Sequence, residues 1–300
     1  LCGAGWIARG FGALAQTDPG FESEGRVTFE AFLEGSSYDE MPRLVLAPEG
    51  DRYMLDPEWV FNGLTSSLWI ERLSERLKAT GQVTAVGAAN TMPLGPEWDV
   101  GFYVAASEAD YDPARQETVQ SRPVSFEFFD AMGIRLLAGR RFAATDADDS
   151  RFEVAIVNEE FVRLFLNDRD PIGASFFRGY PTVRFDNPIQ VIGVVEDVRY
   201  GSLSEPPGPV YHTPHMQGRL QVVIATTAED PLALAPAIRA AAAELDPSIP
   251  IEVRPLEQVI HDELLPYRVG LVIMLLFAAV SIVMASVGIY GVVAHSTAQR

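Results

Sequence analysis

Hydrophobic and polar positions follow three different periods along this chain. From 269 to 294 it reads VGLVIMLLFAAVSIVMASVGIYGVVA, and no charged residue falls between Arg268 and Arg300. A helix needs roughly 20 apolar residues to cross about 30 Å of hydrocarbon, so this run predicts a membrane-spanning helix with length to spare for tilt. Twelve of its first 21 residues are Leu, Ile, Val or Phe, which gives on the order of −4 to −7 kcal/mol for insertion before the Ser and Gly terms. Small residues at Ala278, Ser281, Ala285 and Gly288 fall at spacings of three, four and three. They mark one face on which a neighbouring membrane helix could approach closely.

Elsewhere the period is two or 3.6. Alternation of Val27, Phe29, Ala31 and Leu33 predicts a half-buried strand over 26–34. Residues 35–55 carry Gly35, Pro42, Pro48 and Gly50 and are expected to be loop. Asp56-Pro57 offers a cap and a first-turn proline. Val60, Leu64, Leu68, Trp69, Leu73 and Leu77 then keep helical spacing to a stop at Gly81. A second strand follows over 83–89. The pattern returns with a strand over 220–226, Asp230-Pro231, an apolar stripe at Leu234, Ile238 and Leu245, and a short strand over 249–253. Two such βαβ units, separated by about 130 residues, predict a split α/β layer in the ferredoxin-like manner. The inserted part is turn-rich, with strands expected at 154–157 and 189–195 and a helix capped by Asn158 that carries Phe161, Val162, Phe165 and Leu166. A short amphipathic helix over 256–264 is expected to be divided from the apolar run by Pro266.

Composition narrows the function. The chain has 300 residues, 41 acidic against 23 basic, for a net charge of −18, and Lys78 is its only lysine. Such a surface repels phosphate backbones, so no nucleic-acid partner is expected. Cys2 is the only cysteine, which rules out an internal disulfide within this sequence. The first residues, LCGAGWIARGFG, fit the outer end of a membrane helix cut on its N side.

Candidate chemistry is sparse. Gly3 to Ala8 match a dinucleotide-binding GxGxxA pattern, but no strand precedes it and Thr17-Asp18-Pro19-Gly20 breaks any following helix. Cys2 faintly matches a lipoprotein signal. His212 and His215 flank Thr213-Pro214 and could present two rings to a metal. The further ligands are missing, since the other histidines are His261 and His295, so a solvated loop is expected. Asp146, Asp148 and Asp149 lack the glycine and distal glutamate of a calcium loop. No catalytic, cofactor or metal residue is assigned, and the chain is expected not to be an enzyme.

Several longer blocks have a familiar order. They are Asp18-Pro19-Gly20-Phe21, Asn90-Thr91-Met92-Pro93-Leu94, VSFEFFDAMGIRLLAGRRF over 124–142, Asp170-Pro171-Ile172-Gly173, IGVVEDVR over 192–199, and Gly288-Ile289-Tyr290-Gly291 with Ala298-Gln299-Arg300. Together they resemble MacB-like and FtsX-like ABC transporter permeases, closest to the duplicated orphan permeases without a fused ATPase. Arg135 stands where proline is common, and His295 where tyrosine is usual.

The resemblance implies an α+β, porter-type periplasmic domain of split βαβ/βαβ form with a β-rich insert, flanked by transmembrane helices. On that basis 1–13 end a membrane helix, 25–92 and 215–255 form the split subdomain, and 93–214 are the insert. A periplasmic stem and elbow occupy 256–268, the membrane helix 269–295, and 296–300 begin the cytoplasmic segment. The implied role is a multi-pass permease module in a bacterial inner membrane, coupling a separate cytosolic ATP-binding subunit to periplasmic movement. Its partners would be other permease helices or a second module, a periplasmic adaptor and lipid. The alternative is a membrane-anchored interaction or regulatory module that transports nothing. Coupling is expected through Ala278, Ser281, Ala285, Gly288, Gly291 and Pro266.

Overall fold

The computed structural model describes residues 14, 17–33, 44–46, 53–55, 57–95, 101–109, 111–112, 118–146, 154–166, 169–179, 182–214, 216 and 219–298. The strands are β1 (Arg26–Phe32), β2 (Leu44–Leu46), β3 (Tyr53–Leu55), β4 (Val83–Ala89), β5 (Gly101–Ala105), β6 (Thr118–Pro123) and β7 (Leu136–Gly139). They continue with β8 (Val154–Asn158), β9 (Ser175–Gly179), β10 (Ile189–Val195), β11 (Val210–Thr213), β12 (Arg219–Thr226) and β13 (Arg254–Pro255). The helices are α1 (Pro57–Lys78), α2 (Phe128–Met132), α3 (Glu159–Phe161), α4 (Ala235–Leu245) and α5 (Glu257–Ala298). Pro19–Val259 form one compact unit, and α5 from Ile260 onward belongs to another.

Two sheets make up the first unit. The smaller has the order β13-β1-β12-β4 with every neighbouring pair antiparallel. Side chains alternate as the pleat requires. Val27, Phe29 and Ala31 of β1, Val86 and Ala88 of β4, and Leu220, Val222 and Ile224 of β12 all face one core. Trp69, Ile70, Leu73 and Leu77 of α1 cover that core together with Ile238, Ala241 and Ala242 of α4. Asp230 caps the turn into α4 by accepting from the Leu232 amide, with Pro231 following.

The other sheet has the order β7-β10-β8-β11-β6-β5-β9, and β9 also pairs with β10. Six strands thus close into a ring, which leaves β7 as the added strand. β10 holds three partners: β8 along one side, then β9 at Ile189–Gln190 and β7 from Gly193 on the other. Between them Val191 and Ile192 are bonded to Gly173, Ala174 and Arg140, so the seam has no open rung. Inside the ring Val119, Ala155, Val157, Phe176, Val191 and Tyr211 pack with Phe161 and Leu166. Closure removes the sheet edges that would otherwise invite further pairing.

The expected elements differ from the structure in several places. Residues 44–46 and 53–55 pair as a hairpin, although three-residue strands are too short to show alternation in sequence. Residues 249–253 make no ladder. Ile249 and Val253 are buried, but Pro250 has no amide hydrogen to donate, and pairing begins at Arg254. After Asn158, whose side chain accepts from the Phe161 amide, one helical turn passes into a π-helical stretch, Val162–Leu166. Helical backbone also runs unbroken through Pro266, where a divide is expected; proline removes one bond, and the rest of a 42-residue ladder carries the chain across.

Helix α2 sits on the face of the small sheet opposite α1, over Gly87. A Cβ built at Gly87 would lie 2.6 Å from the Phe128 Cα and 2.9 Å from the Ala131 Cβ, so no larger residue fits without moving backbone. Gly87→Val is expected to destabilise the protein by about 1–3 kcal/mol, read from denaturant unfolding. An unchanged midpoint would show that α2 is not held against β4.

Candidate functional site

Among the described residues no constellation for catalysis assembles, and the most extensive polar contacts lie where the two sheets join. They meet through 123–142, the longest of the recurring blocks. β4 is an edge strand, and its outward amides need acceptors. The Val86 amide donates to Glu127 Oε2 (3.2 Å) and the Ala88 amide to Ser125 Oγ (2.8 Å). The Asn90 amide donates to the Pro123 carbonyl (3.2 Å), and the Ser125 amide returns a bond to the Ala88 carbonyl (2.8 Å). The same segment is tied to the barrel, since the Val124 amide donates to the Thr213 carbonyl at 2.9 Å.

Glu127 then reaches α1. Its carboxylate accepts from Ser74 Oγ at 3.2 Å and pairs with Lys78 Nζ at 2.5 Å. Gly133 closes α2 at φ +70°, with its amide bonded to the Asp130 carbonyl. Arg26 Nε donates to the Ala131 carbonyl at 2.6 Å, and the Arg26 guanidinium pairs with Glu22 at 2.6 Å.

Three further blocks, 18–21, 90–94 and 192–199, are tied to one another beside this junction. Gly20 has φ +84°, and a Cβ there would meet the Asp197 carbonyl at 2.2 Å. The Arg199 amide donates to the Pro19 carbonyl and the Leu94 amide to the Tyr200 carbonyl. Asp197 accepts from Asn158 Nδ2 at 2.7 Å and from the Glu160 amide at 3.0 Å. Burial is the main influence on the Asp197 carboxyl and raises its pKa against those hydrogen bonds.

A polar layer is buried where α2 meets the barrel. His212 of β11 is 2 % exposed, not solvated as the sequence suggests, because its strand lies inside the sheet and its side chain points toward Phe129. Its Nδ1 lies 3.2 Å from the Ile156 carbonyl and its Nε2 lies 2.9 Å from the Tyr200 hydroxyl. A carbonyl only accepts, so Nδ1 carries the proton and Nε2 accepts from Tyr200. The Phe129 ring meets the imidazole edge to face at 5.0 Å. Arg122, paired beside His212 in the sheet, stacks on Tyr200 at 4.2 Å. Burial, opposed by the Ile156 bond and reinforced by the Arg122 charge, pushes the imidazole down to about 3. Burial likewise raises the Tyr200 phenol. Both groups are neutral at pH 7.

His215, Asp148, Asp149, Cys2 and Gly3 to Ala8 lie outside the described residues, and Asp146 is ion-paired to Arg140 at 2.6 Å. Among the described residues no three His, Cys, Asp or Glu side chains are grouped to hold a metal. Of the coupling candidates, Ala278, Ser281 and Ala285 lie on α5. The side chains of Pro266, Gly288 and Gly291 are outside those described. Among the described residues no helix is long and apolar enough to cross a membrane.

No protein-family model matches the chain, and no characterised protein sequence does. Among solved structures the periplasmic region of MacB from Actinobacillus actinomycetemcomitans is similar, with TM-score 0.46 and 12% identity over 83% of this chain and 97% of that one. The extracellular domain of the ABC-type transporter YknZ from Gram-positive bacteria gives TM-score 0.39 and 15% identity over 73% and 91%. A permease-protein domain from Porphyromonas gingivalis gives 0.40 and 12% over 78% and 92%. At these identities no residue role is carried across.

The buried histidine makes stability depend on pH. An unfolded imidazole takes up a proton near pH 6.5, while the folded one resists until about 3. Its contribution is therefore complete above about pH 6.5 and is lost as pH falls toward 3, by up to about 1.4 kcal/mol per pH unit. Urea unfolding at pH 7 and pH 5 is expected to show a drop that His212→Phe reduces. Equal slopes in the two proteins would overturn the buried neutral assignment.

Proposed function

We propose that this chain is a permease module of an ABC-type system in a bacterial inner membrane, with its sheet-and-barrel body on the periplasmic side. One observation carries the membrane part of the reading. Along α5 the consecutive residues Val272, Ile273, Met274, Leu275, Leu276 and Phe277 are 47–69 % exposed, and at 3.6 residues per turn they cover every side of the helix. A helix apolar all round belongs in a core or in lipid. The charge-free run 269–294 has the length for lipid. The order of the sequence blocks supports the family, and the bonds that tie 123–133 to both sheets suit a part that passes movement between layers.

In this reading the small sheet is a ferredoxin-like, porter-type subdomain from 25–92 and 215–255, with 93–214 as its insert. Strand order β13-β1-β12-β4, in which each βαβ unit brackets a strand of the other, supports that division. ATP hydrolysis belongs to a separate cytosolic subunit, and the helix face at Ala278, Ser281, Ala285 and Gly288 couples the module to neighbouring helices.

Purification of the full-length protein in mild detergent is expected to bring down a cytosolic ATPase in stoichiometric amount, with turnover. The double variant Ala285→Leu, Gly288→Leu is expected to lose transport and helix association while the body keeps its melting temperature. Full transport by that variant would sink the coupling face. A clean preparation without ATPase would favour the membrane-anchored interaction module instead.

A further inference from the structure

A groove of about 280 Å³ runs between α1 and the segment that caps β4. Phe126 is its partly exposed apolar lining, while Ile70 and Val86 beneath are buried in the core. Glu71, Glu75 and Lys78 of α1 and Glu127 opposite them supply its charge, so three carboxylates against one ammonium leave the lining two charges negative. Glu71 and Glu75 stand one turn apart on the same helix face and form no ion pair among the described residues.

One occupant of this chemistry is already present. The Lys78 side chain, an ammonium on an alkyl stem, places Nζ 2.5 Å from Glu127 Oε1, with both side chains only 37 % exposed. Glu127 is held for that contact by the Ser74 hydroxyl and the Val86 amide. We propose that the groove binds a soluble primary alkylamine, its ammonium at the Glu71, Glu75 and Glu127 carboxylates and its carbon chain against Phe126. A neutral ligand of the same shape gains only the apolar contacts, and an anion meets a lining of its own sign. Because Lys78 already occupies Glu127, binding shifts that ammonium. The site stands on the groove alone and does not depend on the transport reading.

Lys78 is the only lysine of this sequence, and with lysine labelled at Cε its resonance is assigned as the one that disappears in Lys78→Arg. The whole protein is placed in phosphatidylcholine nanodiscs, whose lipid has no primary ammonium, and titrated with hexylammonium chloride and, separately, hexan-1-ol. Hexylammonium is expected to shift the Lys78 signal saturably, with a dissociation constant on the order of millimolar for so small a ligand. Hexan-1-ol is expected to leave it unchanged. The surface variant Glu71→Gln, Glu75→Gln is expected to weaken hexylammonium by about fivefold. A shift that never saturates, an equal response to the alcohol, or undiminished binding by the variant would each overturn the proposal.

Discussion

The outer edge of β4 is the constraint on which the rest of the body turns. A sheet edge exposes alternating donors and acceptors, and each buried one left unmet costs about 1–3 kcal/mol. Here the hydrogen-bond partners arrive on three alternate residues. Pro123 offers its carbonyl, Ser125 its hydroxyl and amide, and Glu127 its carboxylate. Two of the three acceptors are side chains standing where the carbonyls of a neighbouring strand would be. The segment can therefore follow the edge and still turn at once into α2, which a paired strand could not do. Because β6 ends where this capping begins, satisfying the edge also fixes the barrel in register with the small sheet.

That junction is then sealed by polar groups where an apolar layer would have served for stability. Arg122 and His212 lie side by side on the barrel's outer surface, buried beneath Tyr200 and Phe129. Burying an arginine and an imidazole is costly, and replacing such groups by well-packed hydrophobic residues is often neutral or stabilising. What they add here is direction. The His212 ring is fixed by a carbonyl on one nitrogen and a phenol on the other, and Tyr200 is fixed in turn by its contact with Arg122. The packing of α2 on the barrel thus has one satisfied arrangement where an apolar contact would allow several. Both His212 and Tyr200 are neutral in that arrangement at pH 7.

Elements with a clean period were legible in the sequence, and those whose reason is tertiary were not. The alternation of Val27, Phe29 and Ala31 and the run IQVIGVV name β1 and β10 with their ends nearly right. Asn158 and Asp230 announce their caps because capping is local chemistry. The barrel is not visible, since its closure depends on β10 sharing one side between β9 and β7, a relation between residues far apart in the chain. His212 was misplaced for a related reason. Four residues ending in Thr213-Pro214 look like a loop, but β11 lies between β6 and β8, and both its faces are covered. The groove could not be read either, because Glu127 and Lys78 are 49 residues apart. The signal that could have found the junction was the block over 124–142. Its alternating Ser125 and Glu127 among aromatic residues supply polar atoms at the spacing of a strand.

The serines of α5 sharpen what its small-residue face can do. Ser281 Oγ donates to the Phe277 carbonyl at 2.8 Å, and Ser286 Oγ to the Ile282 carbonyl at 2.7 Å. Each hydroxyl is satisfied by its own helix four residues back, so neither needs a neighbour. In hydrocarbon an unpaired hydroxyl would cost several kcal/mol, and this back-bonding removes that cost without a partner helix. It also means that Ser281 brings no directed hydrogen bond to a helix interface. Together with Ala278 and Ala285 it offers only low relief, and association along that face must come from close van der Waals approach. Such contacts hold over small translations where a directed hydrogen bond would break. A face of this kind can slide as well as grip.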